Sequence, residues 1–346
     1  MTTAPFARRA WIALLTLALV AVLAACGSNG GSDGDRGDTA DEEAAPETAP
    51  VDAIGTYAVG RTTHTFVDTS RPTGPNGSFP GSPERTLLTT IYYPAEGTFS
   101  DEPVDDAAPI TDAGKFPLIL FSHGVTARGT VYENNLEQWA SAGYVVAAPD
   151  YPLSNTNAPG GVNFSVGVGD VPNQPEDASF VLDEVIALDE SGELIEGVID
   201  PDMIGAGGHS LGGITTFQWV YETCCTEERV DAAIAMSGSA GTADAFFTGV
   251  DTPLLVMHGD ADPLVRYQNG VDAYALANSP KLFLTFTGAG HVTPFVGGDD
   301  AQAVALNAAA VAFFDLYLKG DTGALERIEQ TASDPAVATL QEQVGE

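Results

Sequence analysis

Along the chain, short unbroken apolar runs alternate with stretches in which apolar residues recur every three or four positions. The runs at 117–122, 144–150, 203–207, 231–237, 253–258 and 281–286 have the length and continuity of strands buried on both faces. Two extended stretches precede them, 56–67 and 86–93, and the second is expected to stop at Pro94. Helical spacing predicts helices over 132–142, closed by Gly143, and over 176–188, 211–222, 264–277 and 301–319. The last carries Val304, Ala308, Val311, Phe314 and Leu318 as a core-facing stripe. Residues 95–114 are acidic and contain proline, so they read as a surface loop. Residues 152–175, rich in Pro, Gly and Asn, read as a long irregular loop of the kind that tends to carry function. Eight strand candidates interleaved with helices predict an α/β fold: a mostly parallel eight-stranded sheet, helices on both faces, ligands at the C-terminal strand ends. One domain over 53–320 accommodates all of them, followed by a polar extension, 321–346, with room for one more helix.

The first fifty residues break this pattern and read as an address. Arg8 and Arg9 precede an apolar run, 11–23, that is short for a membrane span. It ends in Leu23-Ala24-Ala25-Cys26-Gly27, which resembles the lipobox of bacterial lipoproteins. That resemblance implies cleavage of a signal peptide, 1–25, and acylation of Cys26, with export and a lipid anchor as the only membrane attachment; the alternative is an ordinary secretory signal cut near Ala25. Residues 26–52, polar and acidic without periodicity, are expected to be a flexible tether. Charge narrows the partners. With 48 acidic against 13 basic residues, nucleic acid is excluded as a partner, because phosphate binding needs basic patches. So acidic a surface is soluble and self-repelling, which fits a monomer and raises adaptation to a saline habitat as an expectation. Cys224 and Cys225 are adjacent and stand either as a bridge or as two buried thiols. No cysteine has metal-site spacing with histidine, so neither metal nor cofactor is expected.

Candidate chemistry concentrates at Gly208-His209-Ser210-Leu211-Gly212, where an apolar strand turns into a helix. A Gly-x-Ser-x-Gly bend forces the serine into a strained conformation and lifts its hydroxyl into the open, with Gly208 and Gly212 leaving room for strand and helix to pack. The helix start and the Leu211 N–H then face the place where an oxyanion forms. An activated serine needs a base, an orienting acid and a second oxyanion donor. Only His258 and His291 follow Ser210 among the five histidines. His258 ends an apolar strand and reads as structural, whereas His291, in a Gly-rich loop after the last strand, reads as the base. The preceding loop offers Asp260 and Asp262; Asp262 is preferred as the acid and Asp260 as a turn cap. The turn Phe121-Ser122-His123-Gly124-Val125 supplies the second donor at the Val125 N–H, with Gly124 allowing the bend and His123 shaping it.

From about residue 86 to 318, these motifs resemble the α/β-hydrolase superfamily. Phe121-Ser122-His123-Gly124, the serine pentapeptide, Gly259-Asp260-Ala261-Asp262 and Gly290-His291 are most similar to dienelactone-hydrolase-like and platelet-activating-factor-acetylhydrolase-like esterases. Residues 173–177 and 179–183 are similar to that group as well. The resemblance implies an α/β-hydrolase fold without a large cap domain, and hydrolysis of small to medium acyl esters through an acyl-serine. Dienelactone hydrolases themselves use cysteine where this chain has Ser210, so their substrate is not expected here. A polyester depolymerase is the enzymatic alternative, and a catalytically silent lipoprotein binding module the alternative of another class.

Overall fold

The computed structural model describes residues 55–99, 102–224, 226–241 and 245–344. The expected signal peptide and tether, with Cys26, and also Cys225, lie outside the described residues. Ten strands form one sheet in the order β10-β9-β8-β7-β6-β4-β5-β2-β1-β3. They are β1 (Ala58–Asp68), β2 (Arg85–Ala95), β3 (Val104–Asp105), β4 (Phe116–Ser122), β5 (Val145–Asp150), β6 (Ile199–His209), β7 (Val230–Met236), β8 (Leu254–Gly259), β9 (Lys281–Phe286) and β10 (Ala338–Gln343). The block β4 to β9 is parallel throughout. Antiparallel pairs join β1 to β2, β2 to β5 and β9 to β10. The sheet is therefore mixed rather than purely parallel.

Side-chain alternation along the buried strands feeds two cores. Leu118, Leu120, Ala206, Ala233 and Val256 point to one face, where α3 (Gln174–Leu188), α4 (Leu211–Tyr221) and α5 (Tyr267–Leu276) bring Val181, Val185, Phe217 and Ala273. Ile119, Phe121, Ile234, Leu255 and Leu282 point to the other, where α1 (Glu133–Ser141), α6 (Ala301–Tyr317) and α7 (Ala324–Thr331) bring Leu136, Trp139, Phe314 and Ile328. A short helix, α2 (Phe164–Gly169), lies inside the loop expected to be irregular. Its first turn is capped by Asn163, whose side chain accepts from the Val166 N–H.

Four expectations need correction. The sheet has ten strands, not eight. β3 is a two-residue parallel pairing inside the 95–114 loop, held where Arg61 Nε donates to Asp105 at 2.8 Å. β10 comes from the supposed polar extension: Ala338 is buried, most of the strand is polar and exposed, and the result is a blunted sheet edge. Residues 321–344 thus belong to the folded unit, with Ala324 and Ile328 of α7 buried one turn apart. Pro94 does not end β2. Pairing with β5 stops at Tyr92, so no ladder partner on that side misses the proline N–H. Finally, α5 begins at Tyr267 rather than 264, because the Asp262 carboxylate captures the Leu264 and Val265 N–H groups at 2.8 and 2.9 Å.

The crossover changes direction at β4: the chain goes from β4 to β5 on one side, then to β6 on the other. The loops that follow β4 and β6 are neighbours at that switch point, where open α/β sheets place their ligands.

Candidate active site

Ser210 sits between β6 and α4 with φ 59° and ψ −116°, the left-handed strain the pentapeptide demands. Its N–H donates to Met236 O at 2.9 Å, which pins the bend to the end of β7. Both flanking glycines are obligatory. A Cβ on Gly208 would come within 2.3 Å of Gly212 O, and one on Gly212 within 1.9 Å of Ser122 O.

The structure brings Ser210, His291 and Asp262 into one hydrogen-bonded line. His291 Nε2 accepts from Ser210 Oγ at 2.8 Å, and His291 Nδ1 donates to Asp262 Oδ2 at 2.7 Å. They arrive from the ends of β6, β8 and β9. Burial works to raise the Asp262 carboxyl, but the contacts from His258 and His291 and the backbone bonds outweigh it and hold the group below the ordinary carboxylate range. Asp260 lies outside this line: its carboxylate accepts from the Gly288 N–H at 2.6 Å and so ties the loop that carries Asp262 to the loop that carries His291. His258 is more than a strand-end residue. It lies four residues before Asp262, its Nε2 sits 3.5 Å from Asp262 Oδ2, and it donates to Val265 O at 2.9 Å. Its buried Nδ1 has no hydrogen-bond partner among the described residues, so its one hydrogen bond to a carbonyl is made from Nε2–H.

Gly124 and Val125 follow β4 and lie against the bend; an added Cβ on Gly124 would be 3.3 Å from Ser210 Cβ. His123 holds this turn from within. Its Nδ1–H donates to Gly124 O at 2.8 Å and its Nε2 accepts from the Tyr151 N–H at 3.0 Å. Burial depresses its basicity, in keeping with a neutral structural ring. The N–H groups on either side of Val125 are taken, Gly124 by Tyr132 Oη at 3.1 Å and Thr126 by Ser154 O at 2.6 Å.

The side chains of Val125 and Leu211 pack into a small apolar cluster with Val168, Val171 and the half-buried Phe164 and Ile214. α2 therefore walls one flank of Ser210. Gly167 permits this approach: a Cβ there would meet Val125 Cγ2 at 3.3 Å. An ion network missed in the sequence fixes α2 in place. Arg85, buried at the start of β2, donates to Asp170 at 2.8 Å and to Asp177 at 2.6 Å, and Arg71 reaches Asp177 at 2.7 Å. A buried charge stripped of its partner costs about 3–5 kcal/mol, so this network holds its geometry firmly.

Cys224 is disulfide-bonded. Among the described residues no cluster of His, Cys, Asp or Glu is arranged to hold a metal ion, and no helix is long and apolar enough to cross a membrane.

A mixed α/β sheet with a strained serine bend after its central strand is the architecture of the α/β-hydrolase fold. The solved structures agree: the chain is similar to a ferulic acid esterase from Streptomyces cinnamoneus, with a TM-score of 0.62 at 24% identity, over 86% of this chain and 98% of that one. Residues 84–154, from β2 through β5, match the family model of platelet-activating factor acetylhydrolase, isoform II. That stretch contains Gly124 and Val125 but not Ser210. Among curated relatives, an acyl-protein thioesterase 1 homolog of Dictyostelium discoideum is 26% identical over 191 residues, 50% of this chain and 82% of the relative. A platelet-activating factor acetylhydrolase of Canis lupus familiaris is 24% identical over 195 residues, 46% of this chain and 43% of its own length. The chain thus has the α/β-hydrolase fold, and the relatives it resembles are ester hydrolases by name.

Proposed function

We propose that this chain is a serine carboxylic-ester hydrolase acting on small to medium acyl esters, lipid-anchored at the outer side of a cell membrane through Cys26. The observation that carries the chemistry is the continuous line from Asp262 through His291 to Ser210, at 2.7 and 2.8 Å. His291 takes the Ser210 proton as Oγ attacks the ester carbonyl carbon. The carbonyl oxygen becomes an oxyanion held by the Leu211 and Val125 N–H groups. As the tetrahedral intermediate collapses, His291 gives its proton to the departing alcohol and leaves an acyl-serine. Water, deprotonated by His291, attacks the acyl carbon; the acid leaves and the proton returns to Ser210. Asp262 keeps His291 in the tautomer that can accept from the hydroxyl and stabilises the imidazolium between steps.

The apolar wall supplies the acyl preference. An acyl chain bonded to Ser210 lies beside Phe164 and Ile214 rather than in water, which favours alkyl groups over charged ones. Turnover of a p-nitrophenyl ester series, acetate through palmitate, with suspended polyester film in parallel, tests the reading. No turnover on any soluble ester rejects it; faster attack on film than on soluble esters turns it toward a depolymerase. Within the series, Phe164→Ala is expected to lower kcat/KM on octanoate about tenfold and on acetate less than twofold, because only the longer chain uses the lost surface. Equal losses on both esters would remove Phe164 from the acyl pocket. The anchor rests on the lipobox residues, and palmitate incorporation in a bacterial host checks it: Cys26→Ser is expected to abolish labelling.

A further inference from the structure

Tyr132 and His209 are buried polar residues that the reaction above does not use, and they meet between its three working parts. The Gly124 N–H donates to Tyr132 Oη at 3.1 Å. Tyr132 Oη lies 2.9 Å from His209 Nδ1, and His209 Nε2 lies 2.8 Å from the backbone oxygen of His291. Only one proton arrangement satisfies every contact. A carbonyl oxygen can only accept, so His209 carries its proton on Nε2; Nδ1 is then an acceptor and takes the Tyr132 O–H; that hydroxyl in turn accepts from Gly124. The rings are held by packing as well, His209 stacking on Phe295 at 5.2 Å and 17°. Burial, reinforced by the nearby His291 ring, pulls His209 down to about 3, so the arrangement persists at neutral pH.

We infer that Tyr132 and His209 are positioning residues for the esterase reaction: a hydrogen-bonded tie that sets the backbone of His291 and the oxyanion loop at Gly124 against Ser210. The inference rests on the proposed function above. Of the connections that fix the loop carrying His291, two join it to the other parts of the site. One runs to the acid's loop, through Ala261 N–H to Ala289 O at 3.0 Å and the Asp260 bond to Gly288. The other is His209, the residue directly before the nucleophile. The first aligns base with acid; the second aligns base with nucleophile. The same hydroxyl that orients His209 holds Gly124, next to Val125, so a slip at Tyr132 misplaces base and oxyanion donor together. Displacements of about 1 Å at such groups cost on the order of a hundredfold in rate.

The test uses the mature chain and Tyr132→Phe, His209→Leu and His209→Gln, with kinetics taken well below each variant's melting temperature. Tyr132→Phe is expected to lower kcat about tenfold, the size of one net hydrogen bond, with KM within twofold. His209→Leu, which loses both contacts, is expected to lower kcat by about a hundredfold. His209→Gln, with an N–H for His291 O and an oxygen for Tyr132, is expected to recover part of that loss. Tyr132→Phe and His209→Leu should not multiply in the double variant, since either one breaks the tie. Imidazole 15N shifts report independently of turnover: in Tyr132→Phe the His291 ring signals should move although no hydrogen bond joins His291 to the lost Oη. If folded Tyr132→Phe and His209→Leu keep kcat within twofold of the native protein, the inference is overturned. If native protein turns over no ester, the proposed function falls and the 15N comparison alone decides the tie; unmoved His291 signals then overturn it.

Discussion

Ser210→Ala is expected to lower kcat for p-nitrophenyl acetate by about a hundred-thousandfold or more, the loss seen when a nucleophile is removed from a triad acting as a unit. The substitution isolates chemistry from folding. Alanine keeps the Cβ, so the strained φ of 59° and the packing of Gly208 and Gly212 around it are unchanged. What disappears is Oγ, and with it the 2.8 Å hydrogen bond to His291 Nε2. The melting temperature should therefore stay within a few degrees of native. The small residual rate should come from water attacking an ester still held by the Val125 and Leu211 N–H groups. A fluorophosphonate probe that labels native protein should fail to label the variant. Retention of most of the turnover would place the nucleophile elsewhere and dismantle the site.

The parts of this site that were legible from sequence share one property: their signal is local. Strands β4, β5, β7, β8 and β9, and β6 from Ile204 onward, are largely buried and announce themselves as continuous apolar runs, whereas β6 begins in the polar, partly exposed stretch 200–202 that the apolar pattern left out. The bend at Ser210 needs small residues at fixed offsets, and those are visible as glycines. Asp262 and His291 stand in loops whose order along the chain follows that of the strands. What stayed hidden depends on partners distant in sequence or on competing local signals. Arg85 meets Asp177 across 92 positions, and Tyr132 meets His209 across 77. β10 is half polar because it is an edge, so its alternation is too weak to separate from an exposed tail. The helical spacing from 264 was real, but Asp262 spends its carboxylate on the first N–H groups and delays the helix to Tyr267.

That double use of Asp262 sharpens the second large effect. Asp262→Asn is expected to lower kcat by about ten-thousandfold while leaving the loop nearly intact. The amide oxygen can still accept from the Leu264 and Val265 N–H groups, which hold the native side chain at 2.8 and 2.9 Å. The loss falls on the oxygen that faces His291. With an amide N–H there, His291 Nδ1 must accept rather than donate, the ring proton moves to Nε2, and the base can no longer take the proton from Ser210. Stability should change with pH in a defined direction. The native carboxyl is held below its unfolded value of about 3.9, so its ionised contacts stabilise the fold above pH of about 4 and that contribution fades as pH falls further. The melting-temperature gap between native and Asp262→Asn should therefore be widest near neutrality and close on acidification. A kcat within tenfold of native, with the gap unchanged from pH 7 to 3, would assign the acid to another residue and leave Asp262 only its turn.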